Sequence, residues 1–359
     1  MDSLIEAGSP AGHATRRCVL RTLFRAVAGA ALASTLHACG GGGGVTAPEP
    51  PPPAPTPAPS PSPTPSAPIA AQMTVPTPVG YDAERLAAFN RLNEIRLSAG
   101  LGMVAQSTAM DQAAQAHADW MVANDLFSHQ EQAGTPGFVA TDWPLRDEAF
   151  GYVPVGGAEV MAASGHGSAE VDALVNGVYH RAGILAFEPV DVGIGWTGEA
   201  ATHVATPLVI DITRPGTDTV RGWGQAPQDR IAGAAVWPVN GASGVPLRLG
   251  AESPNPVPAQ DVLSLGTPVS VTVRETAAIS AISFELKNVA TGATVPTQLL
   301  RSGSDPNMLA PRSFVALIPL NALSPDTTYM AMFTGTVTEV QRGESMVLSR
   351  SWSFTTGMK

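Results

Sequence analysis

The sequence predicts an α+β chain: a mixed helix-and-strand unit is followed by an all-β sandwich and preceded by a disordered proline-rich linker. Three observations carry this. Between residues 79 and 213, apolar residues recur at helical spacing and then give way to strand-like runs. From Arg230 on, the pattern becomes short alternating strands separated by turn signals. Upstream, Pro48 to Pro68 holds twelve prolines in 21 residues. A chain of 359 residues suffices for two domains of ordinary size once its ends are set aside.

Residues 1–39 read as an export signal. Thr15-Arg16-Arg17-Cys18-Val19-Leu20-Arg21 resembles a twin-arginine motif, and an apolar stretch from Ala26 to Leu36 follows, too short to span a bilayer permanently. Leu36-His37-Ala38-Cys39 resembles a lipobox, which makes Cys39 the lipidation site and the membrane anchor, through acyl chains worth about 0.8 kcal/mol per buried methylene. Gly40 after that cysteine goes with outer-membrane sorting. The expected location is the cell envelope or cell surface of a Gram-negative bacterium, with the protein exported and lipid-anchored.

Residues 40–78 read as a linker. Gly40 to Gly44 is flexible. Proline fixes φ and removes the N–H donor, so the stretch that follows favours polyproline II, about 65 Å long at about 3.1 Å per residue. No core can form from this composition.

Residues 79–213 are expected to form the first domain. Met110, Ala113, Ala114, His117 and Met121 share one helical face. Ser168 is the expected N-cap of a further helix, with Glu170 and Asp172 in its first turn and Val171, Leu174, Val175 and Val178 as its apolar stripe. Val192–Trp196 and Leu208–Ile212 read as strands. Residues 214–229 read as an interdomain linker, and 230–358 as one sandwich. There Val269, Val271 and Val273 alternate with polar residues, as do Ile282, Phe284 and Leu286. Asn240-Gly241 and Thr291-Gly292 mark turns. Leu323 to Tyr329 resembles the tyrosine corner of fibronectin-like and bacterial Ig-like sandwiches, and Trp352-Ser353-Phe354-Thr355-Thr356 resembles the last strand of the bacterial Ig-like kind.

The formal net charge is −10, and no basic run exists beyond the N-terminus, which excludes nucleic acid as an expected partner. Both cysteines, Cys18 and Cys39, lie in the export segment, so the folded part has neither a disulfide nor a cysteine–zinc site. There is no phosphate loop, nucleophile elbow or Ser-His-Asp order.

The candidate site is His129 in Phe-Ser-His, Glu159 in Gly-Gly-Ala-Glu and His180 in Tyr-His-Arg. Two imidazoles and a carboxylate can hold a divalent metal or form an acid/base pair. They can equally hydrogen-bond one another and hold a cleft together. His117, on an apolar face, is expected to be a buried, satisfied histidine. His203 and His166 are expected in solvent, although an inward-folded loop would let His166 complete a site. Asn93 and Arg96 are expected to tie the first helix to neighbouring backbone, and Arg181 to pair with an acid. Tyr152, Met161, Trp196 and Phe138 line an apolar groove or pack in the core.

Seven segments occur in the order of one family. Leu92-Asn93-Glu94-Ile95-Arg96 precedes Gly100-Leu101. Ala113-Ala114-Gln115-Ala116-His117 and Phe127-Ser128-His129 follow, then Arg146 before Gly151-Tyr152. Ala158-Glu159-Val160-Met161-Ala162, His180-Arg181-Ala182-Gly183-Ile184-Leu185 and Val192-Gly193-Ile194-Gly195-Trp196 complete the set. Together they resemble the CAP superfamily in its bacterial, SCP-like form. The resemblance implies an α-β-α sandwich over 79–213 and a His/Glu cleft. It also departs from the family: a second cleft Glu falls at Gly177, and Ala158 and Val160 replace the family's Gly and Asn.

Three functions follow as expectations. The first, which we favour, is a non-catalytic binding module that takes lipid, polysaccharide or peptide in the cleft. The second is a metal-dependent, peptidase-like hydrolase with zinc or another divalent cation on His129 and His180 and with Glu159 activating water. The third is a structural envelope lipoprotein with an idle cleft.

Overall fold

The computed structural model describes residues 71–163, 166–198, 200–215, 233–250, 252–340 and 343–358. The export segment, Cys39, the proline-rich stretch, residues 216–229 of the expected interdomain linker and residues 230–232 lie outside the described residues; Arg214 and Pro215, expected in that linker, end a strand instead. Everything described belongs to one compact unit.

Helix α1 (Ala83–Ser98) starts at Asp82, whose carboxylate accepts from the Arg85 N–H at 2.8 Å and satisfies an otherwise orphaned first-turn donor. Its buried stripe is Ala88, Phe89, Leu92 and Ile95. It stops where Gly100 takes a positive φ of 78°. Asn93 exchanges two hydrogen bonds with the Val104 backbone. Arg96, fully buried, donates to the carbonyls of Gly102, Ile184 and Ala186. Both residues act as the sequence predicts.

After strand β1 (Ala105–Gln106) comes helix α2 (Thr108–Asn124), capped by Ser107 and closed by Asp125 in the left-handed region at φ 50°. Helix α3 (Trp143–Ala149) carries Pro144 in its first turn, where a missing N–H costs nothing. Strand β2 (Pro154–Ala162) precedes helices α4 (Gly167–Asn176) and α5 (Val178–Ile184), which meet at Gly177. Strands β3 (Asp191–Trp196) and β4 (Leu208–Pro215) complete a sheet in the order β1-β3-β4-β2, antiparallel except for the β1–β3 pair.

Strand alternation divides the residues between two layers. Val160, Val192, Ile194, Ile210 and Ile212 pack with α1 and α4. Met161 and Val209 pack with Ala114, Trp120 and Met121 of α2. The Val-Gly-Ile-Gly segment explains itself here. A Cβ on Gly193 would lie 2.3 Å from the Met110 backbone, and one on Gly195 would lie 2.2 Å from Ala114, so α2 rests directly on the strand. The result is helix, sheet, helix.

One helix begins differently from expectation. The N-cap of α4 is His166, and Ser168 lies inside the first turn. The Gly167 N–H donates at 2.7 Å to Glu84 of α1, and a Cβ at Gly167 would clash with the Glu84 carbonyl. Tertiary contact therefore supplies the acceptor that a local serine was expected to supply.

The C-terminal part comprises two four-stranded sheets. One, in the order β5-β7-β10-β9, holds β5 (Ala235–Trp237), β7 (Val269–Thr272), β9 (Thr297–Arg301) and β10 (Phe314–Pro319). The other, β6-β12-β11-β8, holds β6 (Ala242–Val245), β8 (Ala277–Asn288), β11 (Thr328–Glu339) and β12 (Ser345–Thr356). Val271, Val315, Phe333, Leu348 and Trp352, drawn from both sheets, share one core. Gly241 and Gly292 take the positive φ that their turns require. The Tyr329 hydroxyl accepts from the Ser324 N–H at 2.9 Å, the corner the sequence predicts.

Two alternation patterns differ from expectation. A register shift opposite Thr334/Gly335 turns Ile282 out to solvent, 68% exposed, while Leu286 stays buried. Strand β7 is buried on both faces instead of one, and so is β10. The valine face of β7 looks into the sandwich. The far face of this sheet is covered by α5, whose Val178 and Ala182 share a second core with Phe314, Ala316 and Ile318.

Candidate functional site

Glu159 leaves β2 on the same side as Met161, toward α2 and α3. Its two carboxylate oxygens have separate partners. Oε1 lies 2.7 Å from His129 Nδ1, and Oε2 accepts from Arg146 Nη2 at 2.5 Å. Burial alone would raise the Glu159 carboxyl. The His129 hydrogen bond and the Arg146 guanidinium outweigh it and hold Glu159 below the ordinary range, so it is ionised at neutral pH. An ionised carboxylate only accepts, so His129 Nδ1 carries the proton and Nε2 is the basic nitrogen.

The loop carrying His129 is held from beneath. His117, fully buried on α2, has Nε2 2.9 Å from the Ser128 carbonyl and Nδ1 2.9 Å from Glu131. It is the satisfied core histidine that the sequence predicts. Arg146, also fully buried, donates to the carbonyls of His129 and Thr141 besides binding Glu159. The imidazole of His129 stays 53% exposed at the end of this scaffold. Leu126, Phe127 and Leu145, on the flanking loop and on α3, are exposed apolar side chains.

Two further acids lie beneath. Asp211 sits directly across from Glu159 on β4 and is fully buried; Asp147 adjoins Arg146 on α3 and is also buried. The Asp147 oxygens have no hydrogen-bond partner among the described residues, and Asp211, which meets no N–H donor there, can share its proton with Glu159. Burial first, and the Glu159 charge second, push Asp147 up to about 7 and Asp211 well above the ordinary carboxylate range. One ionised Glu is therefore backed by two acids that hold protons far more readily than usual.

His180 is placed elsewhere. It lies on α5, and α5 packs against the face of β2 opposite Glu159: a Cβ on Gly183 would meet Ala158 at 2.7 Å. The carboxylate 2.8 Å from His180 Nδ1 belongs to Glu252, from the C-terminal part. Among the described residues, Arg181 takes up no acid in a salt bridge. It is fully buried and donates to the carbonyls of Val175 and Pro268, and burial pushes its pKa down to about 9. His166 and His203 are exposed, beside Glu84 and Asp125 respectively. Met161 packs on the α2 side and Trp196 on the α1 side, so these two do not line one groove.

The structure thus joins His129 to Glu159 and joins His180 to an acid that sequence reasoning did not single out. Among the described residues, no three His, Cys, Asp or Glu side chains converge to hold a metal ion. With both Glu159 oxygens and His129 Nδ1 already engaged, these residues do not fit a three-ligand centre made of His129, Glu159 and His180. Asp211 had a readable signal, being a lone acid inside the apolar run Leu208-Val209-Ile210-Asp211-Ile212. Glu252, in Gly-Ala-Glu-Ser-Pro, had none.

Residues 89–201 match the CAP family, described as the cysteine-rich secretory protein family. Fourteen solved chains match the structure. One is an extracellular protein containing an SCP domain from Bacillus anthracis, at 20% identity and TM-score 0.31, covering 36% of this chain and 40% of that one. Another is an outer surface protein from Borrelia burgdorferi, at 15% identity and TM-score 0.30, covering 35% and 89%. A third, of the DUF4426 family from Pseudomonas aeruginosa, has 16% identity and TM-score 0.20, covering 30% and 80%. No curated protein matches.

Proposed function

The chain carries a CAP-superfamily domain, and from that premise we propose that it is an exported envelope lipoprotein, anchored through Cys39, whose CAP domain binds ligand without turning it over. The observation that carries this is the state of Glu159. It is buried, ionised and committed through both oxygens to His129 and Arg146. A base that activates water needs an open oxygen and a pKa near the working pH, and Glu159 has neither. It serves instead to orient His129, whose imidazole stays 53% exposed.

A half-exposed imidazole, with the exposed Phe127 two residues before it in the chain, suits an amphiphile, polysaccharide or peptide that offers a hydroxyl, phosphate or amide next to an apolar surface. The C-terminal sandwich is Ig-like in this reading, supported by the Tyr329 corner. The proline-rich stretch holds the folded part away from the membrane. No helix among the described residues is long and apolar enough to cross a membrane.

The test is binding of the full chain to lipid vesicles, cell-wall polysaccharide and peptide, with and without a chelator, for wild type and His129→Ala. Chelator-insensitive binding that His129→Ala weakens is the expected result. Stoichiometric zinc binding with chelator-sensitive cleavage of a peptide, lost in His129→Ala and Glu159→Ala, would establish the hydrolase. If none of the three ligand classes bound and nothing was cleaved, the purely structural reading would stand.

A further inference from the structure

We infer that Glu252, supplied by the β-sandwich part, is the positioning residue for His180, and that the sandwich is built into the His180 side of the CAP domain instead of being a detached spacer. In so far as Glu252 acts through His180 on a bound ligand, the assignment rests on the binding-module reading; its geometric part does not.

The space for Glu252 exists because residue 177 has no side chain. Gly177 has ordinary backbone angles, φ −67° and ψ 146°, so its conformation does not demand glycine. What demands it is volume. A Cβ there would lie 2.7 Å from Glu252 Oε2 and 3.1 Å from His180 Nδ1. The Glu252 carboxylate fills that volume. Its Oε2 accepts from the Val178 N–H, one of the donors that the start of α5 leaves without a partner inside the helix. Its Oε1 lies 2.8 Å from His180 Nδ1 as an ion-pair contact, out of line for a hydrogen bond, and Glu252 is only 4% exposed. Two lone pairs at that distance would repel, so Nδ1 carries the proton and Nε2 is left as the acceptor.

The surroundings keep Glu252 there. Asn176 Nδ2 donates to the Leu249 carbonyl at 2.9 Å, three residues before Glu252. Arg181 donates to the Pro268 carbonyl at 2.8 Å, and the Tyr179 hydroxyl to Asp305 at 2.6 Å. Val178 and Ala182 complete the apolar core on the outer face of β10. The α5 segment thus contributes to two cores at once, and the sandwich cannot leave without exposing one of them.

The experiment is nitrogen NMR of ring-labelled histidine in the full chain, for wild type, Glu252→Gln and Gly177→Ala, with His180→Gln to assign the signal. Wild type is expected to show His180 as the Nδ1–H tautomer. In Glu252→Gln the single amide oxygen goes to the Val178 N–H and the NH₂ group turns to Nδ1, so the ring switches to the Nε2–H form. Gly177→Ala displaces the carboxylate while keeping its charge, and is expected to produce the same switch. A wild-type Nε2–H ring, or a tautomer unmoved by both substitutions in folded protein, would overturn the assignment. The readout needs no ligand. If the tautomer switches and no lipid, polysaccharide or peptide binds, Glu252 keeps its role and the binding-module reading fails.

Discussion

Glu159 and Asp211 face each other across β2 and β4, and the same buried environment drives their carboxyls in opposite directions. Glu159 hydrogen-bonds both His129 and Arg146 and is held ionised, whereas Asp211 hydrogen-bonds neither, and burial and the Glu159 charge keep its proton on. Burial disfavours both charges. Only the carboxylate with a guanidinium and an N–H donor overcomes it.

The first consequence is an inverted pH profile. Asp147 and Glu188 are each pushed by burial up to about 7, and Asp211 is raised well above its ordinary value. In the unfolded chain these groups titrate at about 4. The folded form therefore holds protons that the unfolded form releases. Their contribution is full below about pH 4 and is lost as pH rises through 7, at up to about 1.4 kcal/mol per pH unit for each group. Glu159, held low, acts the other way and limits stability in acid. Urea unfolding of the full chain should give lower stability at about pH 8 than at about pH 5, with Asp211→Asn flattening the decline. A rise between those values would contradict the assignment.

Arg146 is the guanidinium that binds Glu159, and it is fully buried. Arg146→Ala leaves Glu159 buried without its cation and should destabilise by about 3–5 kcal/mol. Arg146→Met should restore packing but not charge and remain strongly destabilised at about pH 8. Thermal unfolding checks this, and a near-neutral Arg146→Ala would show that the pair contributes little.

The glycines of β3 should tolerate no side chain. With the Met110 backbone 2.3 Å from a Cβ at Gly193, Gly193→Ala must move α2 off the sheet, at a cost of at least about 1–3 kcal/mol. Gly241→Ala, whose Cβ would meet nothing but whose φ is 79°, should cost through strain alone and leave the α2 contacts intact. Hydrogen exchange in α2 separates the two effects.

On the lipoprotein reading, Cys39→Ser should move the protein from the detergent phase to the aqueous phase and leave its fold unchanged, because Cys39 lies ahead of the proline-rich stretch. Equal partitioning of wild type and variant would remove the lipoprotein reading.

Much of the fold was legible because its signals are local. The apolar face of α2, the β3–β4 strands and the Tyr329 corner each depend on residues a few positions apart. The Ser168 cap failed because the acceptor came from Glu84, on another helix. Ile282 failed because a bulge reset the alternation. Of the site, His129 and Glu159 were found by residue type, and His117 was placed correctly by its apolar helical face. The continuous apolar run Phe314 to Pro319 did carry a signal: a strand that reads apolar at every position is covered on both faces, and α5 is the second cover.

By itself, then, the sequence determined the order of elements, the CAP motifs and the His129 and Glu159 of the cleft, all of which follow from short-range periodicity and residue chemistry. Which carboxylate meets which imidazole was decided only by the tertiary structure. Glu159 reaches His129 because strand pleating turns it toward α2. His180, on the other face, meets Glu252 because Gly177 leaves room for an acid from 75 residues further along the chain. Pairing across such separations depends on packed volume and buried charge, and neither is written in any local stretch of residues.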